Sequence, residues 1–218
     1  MKKTHITMVY HVDASYKPEN LFLAVETPEI FDIRVNGEVI EKTDCGYFRD
    51  KAFRKLNIAP YFKEGKNEIT LDVDFEQSEK VYDNIRKSRE FESEKNKLTF
   101  DMEIEQIYLV GDFGVDGIGT YTELERNAFR FEGKFLLTAP KKTVTLKNIE
   151  QQGFLFFAGE MTVSKKFTAE DTALMLDFEK KGINVVHAYV NGTKIDSFMW
   201  EPYRADVSSL IKEGENEL

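Results

Sequence analysis

The sequence predicts an all-β fold, built as two tandem β-sandwich domains joined by one short connecting helix. Two observations carry this prediction. Apolar and polar residues alternate through most of the chain, as in strands with one buried face, and one chain pattern occurs twice. The 218 residues, 41% of them apolar, suffice for two modest domains. We expect the first domain at 1–100, with its helix at 76–97, and the second at 101–218.

The repeat becomes visible when the chain is moved forward by 155 positions. Ile6–Ile40 then lies over Met161–Ile195 without a gap. Six residues drop out of the second copy, after which Ile58–Ile69 lies over Val207–Leu218. Self-similarity over a domain length predicts two copies of one fold.

Three alternating strands open each copy. In the first copy the alternating residues of the three strands are Ile6, Met8, Tyr10 and Val12, then Leu21, Leu23 and Val25, then Phe31, Ile33 and Val35. In the second copy they are Met161, Val163, Lys165 and Phe167, then Leu176 and Phe178, then Val186, Ala188 and Val190. Leu21 thus meets Leu176. The third strand ends at Asn36-Gly37 or Asn191-Gly192, a strong hairpin signal, because a type I′ turn needs positive φ at both central residues.

A Lys-Glu-Gly turn closes each copy, at Gly65 and at Gly214. In the first copy an alternating strand follows from Ile69 to Phe75, whereas Leu218 takes the place of Ile69 in the second. We therefore expect the second domain to be truncated and the chain to be a fragment of a longer protein. A bare strand edge recruits other chains, so we expect self-association through it. About ten residues of native extension should raise the melting temperature, because they complete a strand.

Between the copies, a polar segment at 76–97 spaces Val81 and Ile85 four residues apart, which predicts an exposed helix. Further strands are predicted after it and are assigned mainly to the second domain, at Ile104–Val110, Ala128–Leu137, Thr143–Ile149 and Phe154–Phe157.

Charge and composition exclude several function classes. The net charge of −9 opposes binding to nucleic acid or to an anionic membrane. The single cysteine, Cys45, excludes an internal disulfide. No apolar run has the length of a signal peptide or of a membrane span, so we expect a soluble chain, of undetermined compartment.

No catalytic residue emerges. Asp112-Phe113-Gly114 matches a kinase tripeptide, but the lysine strand and the His-Arg-Asp loop of kinases do not accompany it. Asp112 and Asp116 are either calcium ligands or an acidic loop, and the loop is the commoner case. Paired carboxylates are unavoidable among 39 acidic residues and indicate nothing. We therefore expect no catalytic residue, no metal site and no cofactor in this chain.

Aromatic residues beside acids are more informative. Rings pack on the C–H faces of sugars while carboxylates take the hydroxyls. Such residues follow each hairpin and are the candidate ligand-binding residues, Tyr47 and Asp50 (with Phe48) in the first copy and Trp200, Tyr203 and Asp206 in the second. The alternative is that these aromatics plug the end of a sandwich or the seam between domains.

Three stretches resemble a known family: Ile107–Phe113, Gly153–Glu160, and the hairpin with its loop through Leu210–Leu218. Together they look like the galactose-binding-like, jelly-roll domains of large bacterial glycoside hydrolases, of the β-galactosidase and α-L-rhamnosidase kind. The resemblance covers nearly the whole chain. In such enzymes the catalytic acids lie on a separate barrel domain, so the resemblance transfers no catalytic residue to this chain.

Two hypotheses follow. The resemblance implies a non-catalytic carbohydrate-binding or structural segment that packs on the catalytic domain of the same longer polypeptide, which acts on plant or microbial glycans. The alternative is a free-standing carbohydrate-binding or adhesion protein without an enzymatic partner. A reading frame that continues past Leu218 into a barrel pattern would favour the first hypothesis.

Overall fold

The computed structural model describes residues 3–125, 128–146, 148–157, 159–171, 173–178 and 185–218. Strands predominate and helices are short, which confirms the all-β class. The strands are β1 (Thr4–Ala14), β2 (Leu21–Glu26), β3 (Asp32–Val35), β4 (Glu38–Val39), β5 (Asp44–Phe48), β6 (Asp50–Asn57), β7 (Gly65–Phe75), β8 (Tyr108–Gly111), β9 (Gly114–Glu123), β10 (Phe129–Thr138), β11 (Lys166–Ala169), β12 (Met175–Asp177), β13 (Val186–Val190), β14 (Thr193–Phe198), β15 (Arg204–Asp206) and β16 (Gly214–Glu217).

Helices are few among the described residues. The α-helix α1 spans Glu79–Glu90, within the segment where the sequence predicts it. Val81 on its apolar stripe is buried. Short 3-10 helices lie at Pro28–Ile30, Ala59–Tyr61, Glu92–Lys97, Ile149–Gln152 and Ser208–Leu210. Within the described part of the chain, none of the helices has both the length and the apolar character needed to cross a bilayer.

The chain divides into two compact units. One contains the residues up to 118 with 134–142 and 150–155, and the other contains 119–133, 143–149 and 156–218. The first repeat copy lies in the first unit and the second copy lies in the second.

The first unit has a core between two sheets. Their strand orders are β4-β3-β7-β1-β10-β9 and β5-β6-β2-β8. The central pair, β1 and β7, is antiparallel and runs in register from Thr4 opposite Phe75 to Ala14 opposite Gly65. Both sheets send alternate apolar side chains inward, as period-two patterning requires, and these include Leu21, Leu23, Val25, Ile33, Val35, Leu56, Ile69, Leu71 and Val73. This arrangement is sandwich-like.

The second copy forms three two-stranded pairings: β11 with β16, β12 with β15, and β13 with β14. Its buried cluster is smaller, with four buried members, Ala169, Val190, Val207 and Ile211. Ala169 lies opposite Gly214, as Ala14 lies opposite Gly65. The register of the first copy is therefore kept at this point.

The predicted hairpin turns are confirmed in both copies. Asn36 and Gly37 have φ values of 53° and 84°, and Asn191 and Gly192 have 50° and 80°. Both φ values are positive in each turn, as a type I′ turn requires. The flanking residues pair alike, Val35 with Glu38 and Val190 with Thr193.

A network of two asparagines ties each hairpin to its closing turn. The Asn36 amide donates to Asn67 Oδ1 at 2.9 Å and to the Tyr61 carbonyl at 2.8 Å. In the second copy Asn191 donates to Asn216 Oδ1 at 2.9 Å and to the Leu210 carbonyl at 2.8 Å. The repeat thus extends to individual hydrogen bonds.

The second asparagine of each network closes its turn in the same way. Asn67 Oδ1 accepts the Lys63 N–H at 2.9 Å, and its amide donates to the Lys63 carbonyl at 2.7 Å. Asn216 repeats both bonds to Lys212, at 2.9 and 2.7 Å. Asn67 and Asn216 are each only 2% exposed, so buried polar groups are paired in both turns.

The ungapped alignment is wrong by two residues across the second strand. Ile58 donates its N–H to the Leu21 carbonyl at 3.0 Å, and Val207 donates to the Leu174 carbonyl at 3.0 Å. Leu174, rather than Leu176, therefore takes the place of Leu21. A slip of two residues preserves an alternating pattern, so the sequence pattern did not reveal it.

Three other expectations need correction. The predicted strand at 104–110 shrinks to β8, which pairs with β2 in the first unit and not with the second copy. The described residues of 143–149 form no strand, and Phe154 contributes only an isolated bridge to Val115. Residues 147, 158, 172 and 179–184, on which parts of these stretches and of the repeat fall, lie outside the described residues.

Candidate functional site

The most exposed candidate ring, Trp200, lies on a loop whose two ends pack on one side chain. Phe178 contacts Phe198 edge-on, with ring centroids 5.0 Å apart, and stacks on Tyr203 at 5.6 Å with a 27° interplanar angle. Phe198 is buried. Because both ends share Phe178, the short loop between them presents Trp200 from a packed base.

The loop borders a shallow groove of about 160 Å³, lined by residues Asp196 to Pro202. Trp200 is 73% exposed. The lining also contains the carboxylates Asp196 and Glu201 and the hydroxyl of Ser197. An exposed indole face beside hydrogen-bonding oxygens is suited to a sugar ring.

Tyr203 and Asp206 lie on the same segment but have internal roles. The Tyr203 ring stacks on Phe178. Asp206 Oδ1 accepts the Ser208 hydroxyl at 2.5 Å and the Ser208 N–H at 2.9 Å. These hydrogen bonds hold the pKa of Asp206 below its ordinary value, and the bond from the Ser208 hydroxyl has the larger effect. Asp206 thus caps the 3-10 turn that follows it.

In the first copy the candidate residues lie on a second hairpin, formed by β5 and β6. Tyr47 is 54% exposed and stands opposite Arg54. Arg54 donates to Asp44 at 2.7 Å. Asp50 Oδ1 accepts the Ala52 N–H at 2.8 Å, so this carboxylate supports the turn of the hairpin.

Next to Tyr47 in the sequence, Phe48 joins an aromatic cluster with Phe53 and Tyr108. Of these three residues, only Phe48 was singled out from the sequence. The Tyr108 ring lies 5.5 Å from Phe48 and 5.6 Å from Phe53, and the Arg49 guanidinium lies 5.5 Å above the Phe48 ring. Tyr108 belongs to β8, far away in the sequence. Only the nonlocal pairing of β8 with β2 brings it here, so no short-range sequence signal could have found the cluster.

The proposed calcium ligands have protein partners. Asp112 Oδ2 accepts the Asn20 amide at 2.8 Å, and Asp116 Oδ2 accepts the Lys141 ammonium at 3.0 Å. Across the described residues, the structure gathers no group of three or more His, Cys, Asp or Glu side chains that could hold a metal ion.

The structure places one histidine beside a serine. His187 Nδ1 lies 2.9 Å from Ser197 Oγ, because the two residues pair across β13 and β14. The adjacent carboxylate of Asp196 accepts the Ser197 N–H at 2.7 Å. In a catalytic triad the acid instead orients the histidine, so this trio follows from strand pairing.

The carboxylates with shifted pKa values all shift downward. Hydrogen bonds lower the pKa of Asp44 (from Arg54 and then the Gly46 N–H), of Asp74 (from Lys3 and then His5), and of Asp101 (from Ser78). A glycosidase general acid needs the opposite shift. These carboxylates are suited to ion pairs and turns.

The chain matches no protein-family model, and none of the curated proteins matches it either.

Proposed function

We propose that this chain is a non-catalytic, carbohydrate-binding tandem of galactose-binding-like, jelly-roll β-sandwich domains, which belongs to a multidomain glycoside hydrolase acting on plant or microbial glycans. The observation that carries the proposal is Trp200, a ring 73% exposed on a loop packed at both ends. What distinguishes this ring is its position in a groove beside the oxygens of Asp196, Ser197 and Glu201, the combination of ring and polar groups that a sugar contacts.

The chemistry of the groove favours neutral sugars. Its lining includes two carboxylates, Asp196 and Glu201, and no Lys or Arg. Anionic glycans would meet these acids and the overall charge of −9. Hydroxyl groups of neutral hexoses can instead donate to the carboxylates while the ring packs on Trp200.

The distribution of the repeat also supports binding over catalysis. The turns and their asparagine networks are duplicated, whereas Trp200 and Tyr47 lie in the segments where the copies differ in length. A duplicated scaffold with different loops is typical of units that recognise ligands through loops.

A glycan array tests the proposal directly. We expect the wild-type chain to bind neutral glycans and Trp200→Ala to lose on the order of 1 to 3 kcal/mol of binding free energy, the worth of burying one such ring. Tyr82→Ala, which removes an exposed ring of α1 that does not line the groove, should bind like wild type. Binding that survives Trp200→Ala unchanged would refute the placement, and no binding by the wild type would leave only a structural role.

A screen of nitrophenyl glycosides tests the non-catalytic half. We expect no turnover, because the carboxylates whose pKa values shift, Asp44, Asp74, Asp101 and Asp206, shift downward, opposite to the shift that a glycosidase general acid needs. Turnover that disappears when one carboxylate is replaced by its amide would overturn the proposal.

A further inference from the structure

We propose that the outer face of the sheet β5-β6-β2-β8, in the first unit, binds a glycan at a single uronic acid residue set among neutral sugars. The Trp200 groove belongs to the other unit. This inference rests on the proposed carbohydrate-binding function and adds a second site, whose charge preference is opposite to that of the Trp200 groove.

The alternation of side chains along β2 defines this outer face. Leu23 enters the core, so its neighbours Phe22 and Ala24 point to the other side of the sheet. In the register of the sheet, Lys55 of β6 and Tyr108 of β8 stand on either side of Ala24. The side chains of these four residues therefore share one face.

Aromatic rings cover much of the outer face. The Tyr108 ring lies 5.5 Å from the Phe48 ring and 5.6 Å from the Phe53 ring, measured between ring centroids. Tyr108 is 40% exposed, whereas Ala24 beside it is 0% exposed. The larger side chains around Ala24 thus form the surface that solvent meets.

The outer face of the other sheet in this unit is mostly polar. Its central strands β1 and β7 place Thr7 opposite Asp72 and His11 opposite Glu68 there. A polar outer face is usual where one side of an antiparallel sheet is solvated. The rings beside Ala24 depart from this arrangement, and a contact function accounts for the departure.

Two cations lie over the rings. The Lys55 ammonium is 5.1 Å from the centre of the Phe22 ring, and the Arg49 guanidinium is 5.5 Å from the centre of the Phe48 ring. Among the outward residues of β2, β6 and β8, all of which the structure describes, Glu26 is the one acid. The local charge is therefore positive, although the whole chain carries −9.

An acidic sugar combines the two groups that this face can recognise. The C–H face of a pyranose packs on an aromatic ring, and a carboxylate accepts a charge-assisted hydrogen bond from an ammonium such as that of Lys55. A single carboxylate meets mainly the local charge. A nucleic acid, with a phosphate at every residue, is instead opposed by the net charge of −9.

The probe is a xylo-oligosaccharide that carries one glucuronic acid side group, and the control is the same compound with its carboxyl group reduced to an alcohol. Titration calorimetry of the full chain should give the acidic probe a Kd about tenfold or more below that of the control, as one charge-assisted hydrogen bond provides. Added salt should narrow this difference, because salt screens exposed charges.

Three variants locate the site. Lys55→Gln should raise the Kd of the acidic probe about tenfold and leave that of the control compound little changed. Tyr108→Ala should weaken both compounds, because both pack on its ring. Lys66→Gln, an equal change of charge at an exposed residue of β7 in the other sheet, should bind like wild type. Melting temperatures check that each variant is folded, and Tyr108→Leu replaces Tyr108→Ala if the latter unfolds.

Several results would overturn the proposal. They are equal binding of the two compounds by wild type, an unchanged preference in Lys55→Gln, loss of the acidic probe in Trp200→Ala, and displacement of the probe by a single-stranded oligonucleotide. Binding of neutral glycans at Trp200 without any binding of the acidic probe would refute this site alone. Absence of binding to both neutral and acidic glycans would refute the proposed carbohydrate binding as well.

Discussion

The two repeat copies share their turns and differ in their cores. The asparagine networks at Asn67 and Asn216 agree bond for bond, to within about 0.1 Å in the bonds to Lys63 and Lys212. The central antiparallel pair, however, spans eleven residues of β1 in the first copy and four residues of β11 in the second. Local hydrogen bonding can therefore reproduce a turn even where the buried core beside it is much smaller.

The largest expected difference lies at one pair of matched positions, Leu23 and Leu176. Leu23 is 0% exposed, whereas Leu176 is only partly buried against the smaller cluster. We expect Leu23→Ala to cost about 2 to 5 kcal/mol of unfolding free energy, as buried Leu-to-Ala changes do, and Leu176→Ala to cost about 1 to 2 kcal/mol.

Urea denaturation can separate the two effects. Trp200 is the only tryptophan and lies in the second unit, so its fluorescence follows that unit, whereas far-ultraviolet circular dichroism follows all strands. Equal costs for the two substitutions would mean that the second core is packed as tightly as the first and that the comparison is wrong.

The shared turns predict a smaller effect that should be equal in the two copies. Replacing Asn67 or Asn216 by Ala removes a buried amide and its two part-buried hydrogen bonds to the N–H and carbonyl of Lys63 or Lys212. Each change should cost about 1 to 3 kcal/mol. Thermal melts of the two variants check this, with Asn20→Ala, which loses an exposed contact to Asp112, as the control. A cost confined to one copy would break the equivalence of the turns.

The sequence predicted the features that depend on neighbouring residues. Asn36-Gly37 and Asn191-Gly192 form the expected turns, because positive φ at both positions is a local demand. The helix around Val81 was predicted for the same reason.

Nonlocal pairing was beyond the sequence. The two-residue slip between Leu176 and Leu174 keeps every apolar residue on its face, so only the hydrogen bond from Val207 reveals it. Likewise, nothing near Tyr108 indicates that β8 pairs with β2.

The candidate site was predicted in part. Trp200 lies exposed on its loop, in keeping with a contact role, and its glycan binding stays a prediction. Asp206 was assigned beside the rings, but its carboxylate caps the turn at Ser208. An Asp or Asn side chain that accepts the backbone N–H two residues further on forms an Asx turn. Asn57 and Ala59 form the same turn in the first copy, so this signal was available.

The turn caps Asn57 and Asp206 give the smallest expected difference between the copies, a difference in how stability depends on pH. Asn57 Oδ1 accepts the Ala59 N–H at 3.1 Å, and Asp206 Oδ1 accepts the Ser208 N–H at 2.9 Å. The first cap is uncharged at every pH. The second is a carboxylate whose pKa is lowered by the Ser208 hydroxyl and N–H, so only the second copy depends on an ionised cap.

A carboxyl group with a lowered folded pKa adds stability above its unfolded pKa, near 3.8, and this stability is lost as pH falls through the folded value. We therefore expect the Trp200 fluorescence transition to lose stability below about pH 4. Asp206→Asn should flatten this loss while leaving stability near neutral pH little changed, because the amide oxygen still accepts the Ser208 N–H. Conversely, Asn57→Asp should add to the acid sensitivity that Asp44 and Asp74, whose pKa values are also lowered, already give the first copy. Melting temperatures from pH 7 to pH 2.5 measure both, and parallel curves for wild type and Asp206→Asn would show that Asp206 does not carry the acid response.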